Sequence, residues 1–213
     1  MQVEFRETGI YLPAIDLWLD NTDTCAATWI SHGHSDHARG CHGKVIGTST
    51  TLRFYRMRLW LNEDQEEPEL QALEFGESTE WNGARLTAFP ASHILGAAQL
   101  LIEHGGERLV YTGDIKLRQP LCGETTQAIE CDQLIIESTF GLPIYRLLSR
   151  EQAIEQIVTF ARECLADGVT PAFVGYPLGR GQEIVHVLCQ AGFRTAVHGA
   201  IARFIPVYQE NGY

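Results

Sequence analysis

Ser31-His32-Gly33-His34-Ser35-Asp36-His37 follows directly on the apolar run Ala27–Ile30, and the reading of the whole chain turns on this stretch. In an extended segment, side chains two apart point the same way, so His32 and His34 can grip one metal ion. The chain must then turn, which lets Asp36 and His37 face a neighbouring position. Nitrogen and oxygen donors of this kind suit Zn²⁺ and related ions. Such a density of polar groups at a strand end is hard to satisfy without a metal, because buried polar groups need partners.

Two later residues fit the same site. His93 lies in Pro90-Ala91-Ser92-His93-Ile94-Leu95-Gly96 and Asp114 in Tyr111-Thr112-Gly113-Asp114, each just past a strand-like run. Alone, either reads as a turn residue. After an H-x-H-x-D-H loop, His93 supplies a third imidazole to the first metal and leaves a position for water. The two oxygens of Asp114 can bridge to a second. Two metals ~3.5–4 Å apart would activate water near neutral pH and clamp the oxygens of a phosphoryl or acyl group. Asp20 ends the preceding apolar run. It either orients a ligand histidine through the ring's free N–H or is a turn residue before Asn21, and the sequence leaves both open.

Outward from this loop, the chain as far as residue 140 reads as short strands and tight turns. Ile10–Leu12, Leu17–Asp20, Ala27–Ile30, Val45–Thr48, Leu86–Phe89, Ala98–Glu103, Leu109–Thr112 and Leu134–Glu137 are apolar or alternating runs. His104-Gly105-Gly106-Glu107 predicts a hairpin connection, and apolar spacing from Thr50 to Trp60 predicts a helix. After Pro143 the pattern changes to strand–helix alternation. Ser149 with Gln152 forms a capping-box spacing that opens a helix to about Ala166. Ala172–Tyr176 and Thr195–His198 read as strands, Gln182–Gln190 and Ala200–Glu210 as helices, which together predict a parallel sheet. The boundary falls near residue 145, separating a metal-bearing portion, 1–145, from a second α/β portion, 146–213.

Composition narrows the class. The chain has 213 residues, 45% apolar and 20% charged, with a formal net charge of −11, values ordinary for a globular α/β protein. No run approaches the ~18 apolar residues of a membrane span. The N-terminal MQVEFRETGIY lacks an apolar segment behind a basic flank, so no secretory signal and a cytoplasmic location are expected. The six cysteines are scattered with no C-x-x-C pair, which argues for free thiols over a disulfide framework. The negative charge argues against sequence-independent binding to nucleic acid through a basic surface. Much of it sits in the run Glu63, Asp64, Glu66, Glu67 and Glu69, expected to be a solvated loop. All basic residues except Lys44 and Lys116 are arginine, the better bidentate partner for phosphate.

With these residues in hand, the chain closely resembles the metallo-β-lactamase superfamily, and within it the β-CASP nucleases. Beyond the metal loop, the resemblance rests on His93-Ile94-Leu95-Gly96-Ala97, Ile136-Glu137-Ser138-Thr139-Phe140-Gly141 and Leu178-Gly179-Arg180-Gly181-Gln182-Glu183. Glu137–Arg146 and Gly9–Asp20 are most similar to the bacterial DNA-ligase-associated exonucleases, whose relatives include RNA 3′-end-processing enzymes.

The resemblance implies an α/β fold, the N-terminal part of an αββα sandwich followed by part of a β-CASP-type parallel α/β insert. It implies two zinc ions, one held by His32, His34 and His93, the other by Asp36 and His37, with Asp114 shared. It makes Glu137 a proton-handling or supporting acid, against the plainer reading of a strand-end charge. Gly179, Arg180 and Gly181 open a helix whose N–H groups and guanidinium suit a phosphate, or form a simple cap.

The function implied is a metal-dependent phosphodiesterase, exonuclease-like, acting on DNA or RNA ends in repair or processing, with a DNA ligase or helicase as partner. Complete relatives supply two further histidines beyond the position of Tyr213. The chain is therefore expected to be C-terminally truncated and its second metal site incomplete. Two alternatives follow: a non-catalytic remnant, or a compact hydrolase of small esters or thioesters that uses His198 as the missing ligand.

Overall fold

In the computed structural model, residues 1–213 are described except Trp60, Asn62 and Asp64. They form two compact units, Met1–Glu137 and Ser138–Tyr213.

The first unit is built from two sheets. One has the order β1 (Glu4–Arg6), β2 (Gly9–Leu12), β3 (Leu17–Leu19), β4 (Ala27–Trp29), β5 (Lys44–Gly47), β6 (Glu69–Ala72). Its first three strands are antiparallel neighbours, whereas β3 through β6 run parallel. The other has the order β11 (Gln133–Ile135), β10 (Glu107–Tyr111), β9 (Ala98–His104), β8 (Ala84–Pro90), β7 (Ser78–Trp81). Both β8 and β10 pair antiparallel with β9, so they share a direction, and β11 joins β10 in parallel.

The two sheets bury one core between them. Leu12, Leu17, Leu19, Trp29 and Ile46 come from the first, and Leu86, Ala88, Leu100, Ile102, Leu109 and Tyr111 from the second. The parallel strands β4 and β5 in the first sheet are buried on both faces over nearly their whole length, as parallel strands covered on both sides are. On the opposite face of the first sheet, Leu52 and Tyr55 of helix α1 (Ser49–Arg58) pack on Ile30 and Val45. Thr48 caps that helix, its hydroxyl accepting from the Thr51 N–H at 3.2 Å.

The strands expected from alternation are present with small shifts at their ends, and His104 pairs with Glu107 across the expected hairpin. Three strands escaped the sequence pattern, β1, β6 and β7. Each is short, polar and largely exposed at or near a sheet edge, so burial leaves little periodic signal. The expected helix end at Trp60 and the acidic Asp64 lie outside the described residues. Glu63, Glu66 and Glu67 are exposed as expected, but Glu69 opens β6.

The second unit carries helices α2 (Arg150–Ala166), α3 (Arg180–Gln190), α4 (Gly199–Ala202) and α5 (Ile205–Glu210). The Ser149–Gln152 capping box forms in both directions, at 2.9 and 3.2 Å. The single helix expected over Ala200–Glu210 is broken at Arg203–Phe204. Pro206 explains the break, since it has no N–H and its ring meets the carbonyl four residues back. The strands expected at Ala172–Tyr176 and Thr195–His198 are not formed among the described residues. Both segments alternate in exposure, with Val174 97% exposed, but a strand needs a neighbour's hydrogen bonds and neither run is paired.

Trp29 is fully buried between the sheets. Trp29→Ala is expected to cost ~3–5 kcal/mol, read as a fall in the urea unfolding midpoint. An unshifted midpoint would contradict a core shared by the two sheets.

Candidate metal centre

The C-terminal ends of β3, β4, β8 and β10 meet at one rim, and each delivers a residue to it: Asp20, the loop 31–37, His93 and Asp114. In sheets with parallel strands this is the end where ligand sites collect. One donor atom from each of His32, His34, His93 and Asp114 lies within 4.8 Å of the others. His34 Nδ1 is 3.0 Å from His32 Nε2 and 3.1 Å from His93 Nε2. Asp114 Oδ2 lies 3.3 Å from His93 Nε2 and 3.8 Å from His32 Nε2, while its Oδ1 is 3.4 Å from His37 Nε2. The segments that follow β4, β8 and β10 thus bring together five of the six expected ligands.

The sixth, Asp36, stands at the edge. Its side chain is 78% exposed, with Oδ2 3.8 Å from His37 Nε2. It joins neither donor group found among the described residues, and the second of these is Asp20, His32 and His37. Asp20 is buried, and its Oδ2 lies 2.7 Å from His37 Nδ1. Glu137, two residues past β11, accepts the Ile115 N–H at 3.0 Å, so it holds the backbone next to Asp114.

Close packing sets the loop geometry. Gly113 has φ +54°, and a Cβ there would lie 2.5 Å from Ser31 Cβ. A Cβ on Gly33 would lie 2.6 Å from Phe54 Cβ on α1. The turn after His93 is held in a similar way. The Gly96 carbonyl accepts from Thr48 and Thr51 hydroxyls at 2.7 and 2.9 Å, and its N–H donates to Glu124 at 3.1 Å.

Electrostatics suits this rim to a cation. Burial, reinforced by the neighbouring imidazoles, pushes the His32 pKa well below its ordinary value. Burial likewise lowers His93, to about 4, against the opposing pull of Asp114. Both rings therefore keep their lone pairs near neutral pH. Burial also opposes charge on His37, but hydrogen bonds and Coulombic attraction from Asp114 and Asp20 outweigh it and raise its pKa to about 10. Burial raises the Asp114 carboxyl, and the His37 hydrogen bond and charge more than reverse that. Neutral imidazoles facing one another beside two carboxylates form a donor set that a borderline cation such as Zn²⁺ satisfies.

Two residues here carried no role in the sequence reading. Tyr111 is buried and its hydroxyl donates to Asp20 Oδ2 at 2.7 Å. Ser31 donates to Asp20 through both its N–H, at 2.7 Å, and its hydroxyl, at 2.5 Å. The only signal for Tyr111 was its inward register at the end of β10. In the second unit, Gly179–Gly181 open α3 as expected. The Gly179 N–H donates to Gln182 Oε1 at 2.7 Å and the Gly181 N–H to the Tyr176 carbonyl at 3.0 Å, so both are engaged. The Arg180 guanidinium lies over the Tyr176 ring, 5.5 Å from its centroid. His198 caps α4, its Nδ1 accepting from Ala200 N–H at 3.2 Å.

Gly113→Ala forces a side chain into the left-handed region, at ~1–2 kcal/mol, and presses on Ser31. Both a lower unfolding midpoint and reduced zinc retention on dialysis are expected. Retention equal to that of the unaltered protein would show that Gly113 does not hold the rim.

Comparison with known proteins agrees with this geometry. The profile of the family described as "Beta-lactamase superfamily domain" matches residues 13–161. A probable DNA ligase of Opitutus terrae is 34% identical over 96% of this chain and 20% of its own length. The cleavage and polyadenylation specificity factor subunit 3 of Dictyostelium discoideum is 30% identical over 83% of this chain and 25% of its own. An endoribonuclease of Gibberella zeae is 29% identical over 75% and 23%. The chain thus spans a fifth to a quarter of the length of these relatives. A solved structure of a protein of unknown function from Enterococcus faecalis V583 shares the fold at TM-score 0.50 and 17% identity, over 76% of this chain and 44% of that one. With the superfamily profile spanning both the metal loop and its partners on β8 and β10, and with relatives of the β-CASP kind, the chain belongs to the β-lactamase superfamily.

Proposed function

We propose that this chain carries the metal centre of a metal-dependent phosphodiesterase, an exonuclease-like hydrolase acting on DNA or RNA ends in repair or nucleic-acid processing. The observation that carries the reading is the convergence of His32, His34, His93 and Asp114 donor atoms within 4.8 Å. The endoribonuclease, cleavage-factor and DNA-ligase names of the relatives support nucleic acid as the substrate, and a DNA ligase or helicase as partner is part of the same proposal, from the family resemblance alone.

In this reading His32, His34, His93 and Asp114 hold one zinc ion, and His37, Asp36 and the shared Asp114 hold a second. When bound, the pair would lower the pKa of a water molecule and neutralise charge on phosphoryl oxygens. Asp20 keeps the His37 ring oriented with Nε2 toward Asp114. Asp36, open to solvent beside His37, is the carboxylate placed to pass a proton between the rim and bulk water. Glu137 keeps Asp114 in place through Ile115. Residues 1–145 form the metal-bearing portion and 146–213 a partial β-CASP-like portion. There Arg180 at the Gly179–Gly181 turn is the phosphate contact, through its guanidinium. The six cysteines are free, in keeping with a reducing cytoplasm, and no described helix is long and apolar enough to cross a membrane.

Zinc analysis of purified protein and hydrolysis of an end-labelled single-stranded oligonucleotide test the reading together. Between one and two zinc ions per chain are expected. His34→Ala is expected to cut hydrolysis by at least ~100-fold, the upper end of what losing a ligand's outer partner costs. Protein free of zinc, or equal hydrolysis by the variant, would overturn the assignment.

A further inference from the structure

Four donors converge on the buried Asp20 carboxylate. Oδ1 accepts the Ser31 N–H at 2.7 Å. Oδ2 meets the Ser31 hydroxyl at 2.5 Å, the Tyr111 hydroxyl at 2.7 Å and His37 Nδ1 at 2.7 Å. A carboxylate only accepts, so each of these partners must donate. His37 therefore carries a proton on Nδ1, and its Nε2 is the nitrogen that faces Asp114.

The Ser31 hydroxyl has one hydrogen, and Asp20 takes it. What remains on Ser31 Oγ is acceptor capacity, and His32 Nδ1 lies 3.0 Å away. Two acceptors cannot share that contact, so the proton between them belongs to His32 Nδ1. His32 has no exposed surface, so no solvent competes for the ring. The opposite nitrogen, Nε2, is then the one with a lone pair, and it points at His34 and Asp114.

We propose that Ser31 is a positioning residue, a hydroxyl relay through which Asp20 fixes the tautomer of His32 and leaves Nε2 aimed into the metal pocket. One carboxylate thereby sets two rings, His37 directly and His32 through Ser31. The relay has little freedom. Tyr111 holds Asp20 from β10, the Ser31 backbone holds it from β4, and the missing side chain of Gly113 leaves room for Ser31. The proposal rests on the metal-centre reading and identifies the group that prepares one of its ligands.

Long-range ¹H–¹⁵N spectra of histidine-labelled protein read the tautomer directly, before any zinc is added, with His32 assigned by its loss in His32→Gln. The zinc-free protein is expected to show His32 protonated on Nδ1. Ser31→Ala is expected to lose that single tautomer and to weaken zinc binding by ~10–100-fold in a chelator competition. Ser31→Thr, which keeps the hydroxyl, is expected to restore both. A structural role alone would not move the tautomer. His32 protonated on Nε2 in the unaltered protein would overturn the relay, as would an alanine variant with unchanged tautomer and zinc affinity. If the unaltered protein binds no zinc while His32 keeps its proton on Nδ1, the relay is supported and the metal reading alone fails.

Discussion

The buried carboxylate of Asp20 ties together the ends of three strands at the rim of the two sheets. It sits at the end of β3, accepts from Ser31 past the end of β4, and accepts from Tyr111 at the end of β10. Burying such a group is costly unless its oxygens are satisfied, and here both are. The same bonds that offset the burial fix the register of the two sheets at the rim. They also fix the faces of His32 and His37. The architecture of the rim and the preparation of its ligands are one network.

The rim shows how a chain with net charge −11 could accommodate the anionic substrate proposed for it. The chain's negative groups are not spread evenly. At the rim, carboxylates lie among neutral imidazoles whose lone pairs are kept by burial, and the high pKa of His37, about 10, registers how strongly that spot favours positive charge. A metal pair would supply the charge that the surface lacks. Substrate attraction would then be local to the centre and owe little to a basic face. Lys116 adds to this, since its charge is felt at the His93 ring and its N–H is tied to the Ala91 carbonyl at 3.0 Å.

Much of this was legible in the sequence because the chemistry is concentrated. The H-x-H-x-D-H loop places most of the donors in one turn, and His93 and Asp114 follow strands whose alternation is clear. The Ser149–Gln152 box marked α2 because a cap is a local interaction. What the sequence could not show depends on distance along the chain. Tyr111 reaches Asp20 across 91 positions, and nothing near Tyr111 announces the partner. Ser31 stands at the head of the quoted loop, but its link to Asp20 and His32 depends on the direction of one hydrogen, which no sequence pattern records. The polar edge strands β1, β6 and β7 bury too little to leave a pattern. In the second unit, 172–176 and 195–198 have strand-like composition without pairing, because propensity describes a residue and a sheet requires a neighbour.

The central claim is that one pocket gathers three imidazoles and a carboxylate around a cation. Anomalous scattering at the zinc edge from crystals of the zinc-loaded protein tests it most directly. The account predicts a peak within ~2.0–2.2 Å of a ring nitrogen of each of His32, His34 and His93 and of a carboxylate oxygen of Asp114. A peak held elsewhere, or one missing any of those three rings, would contradict it.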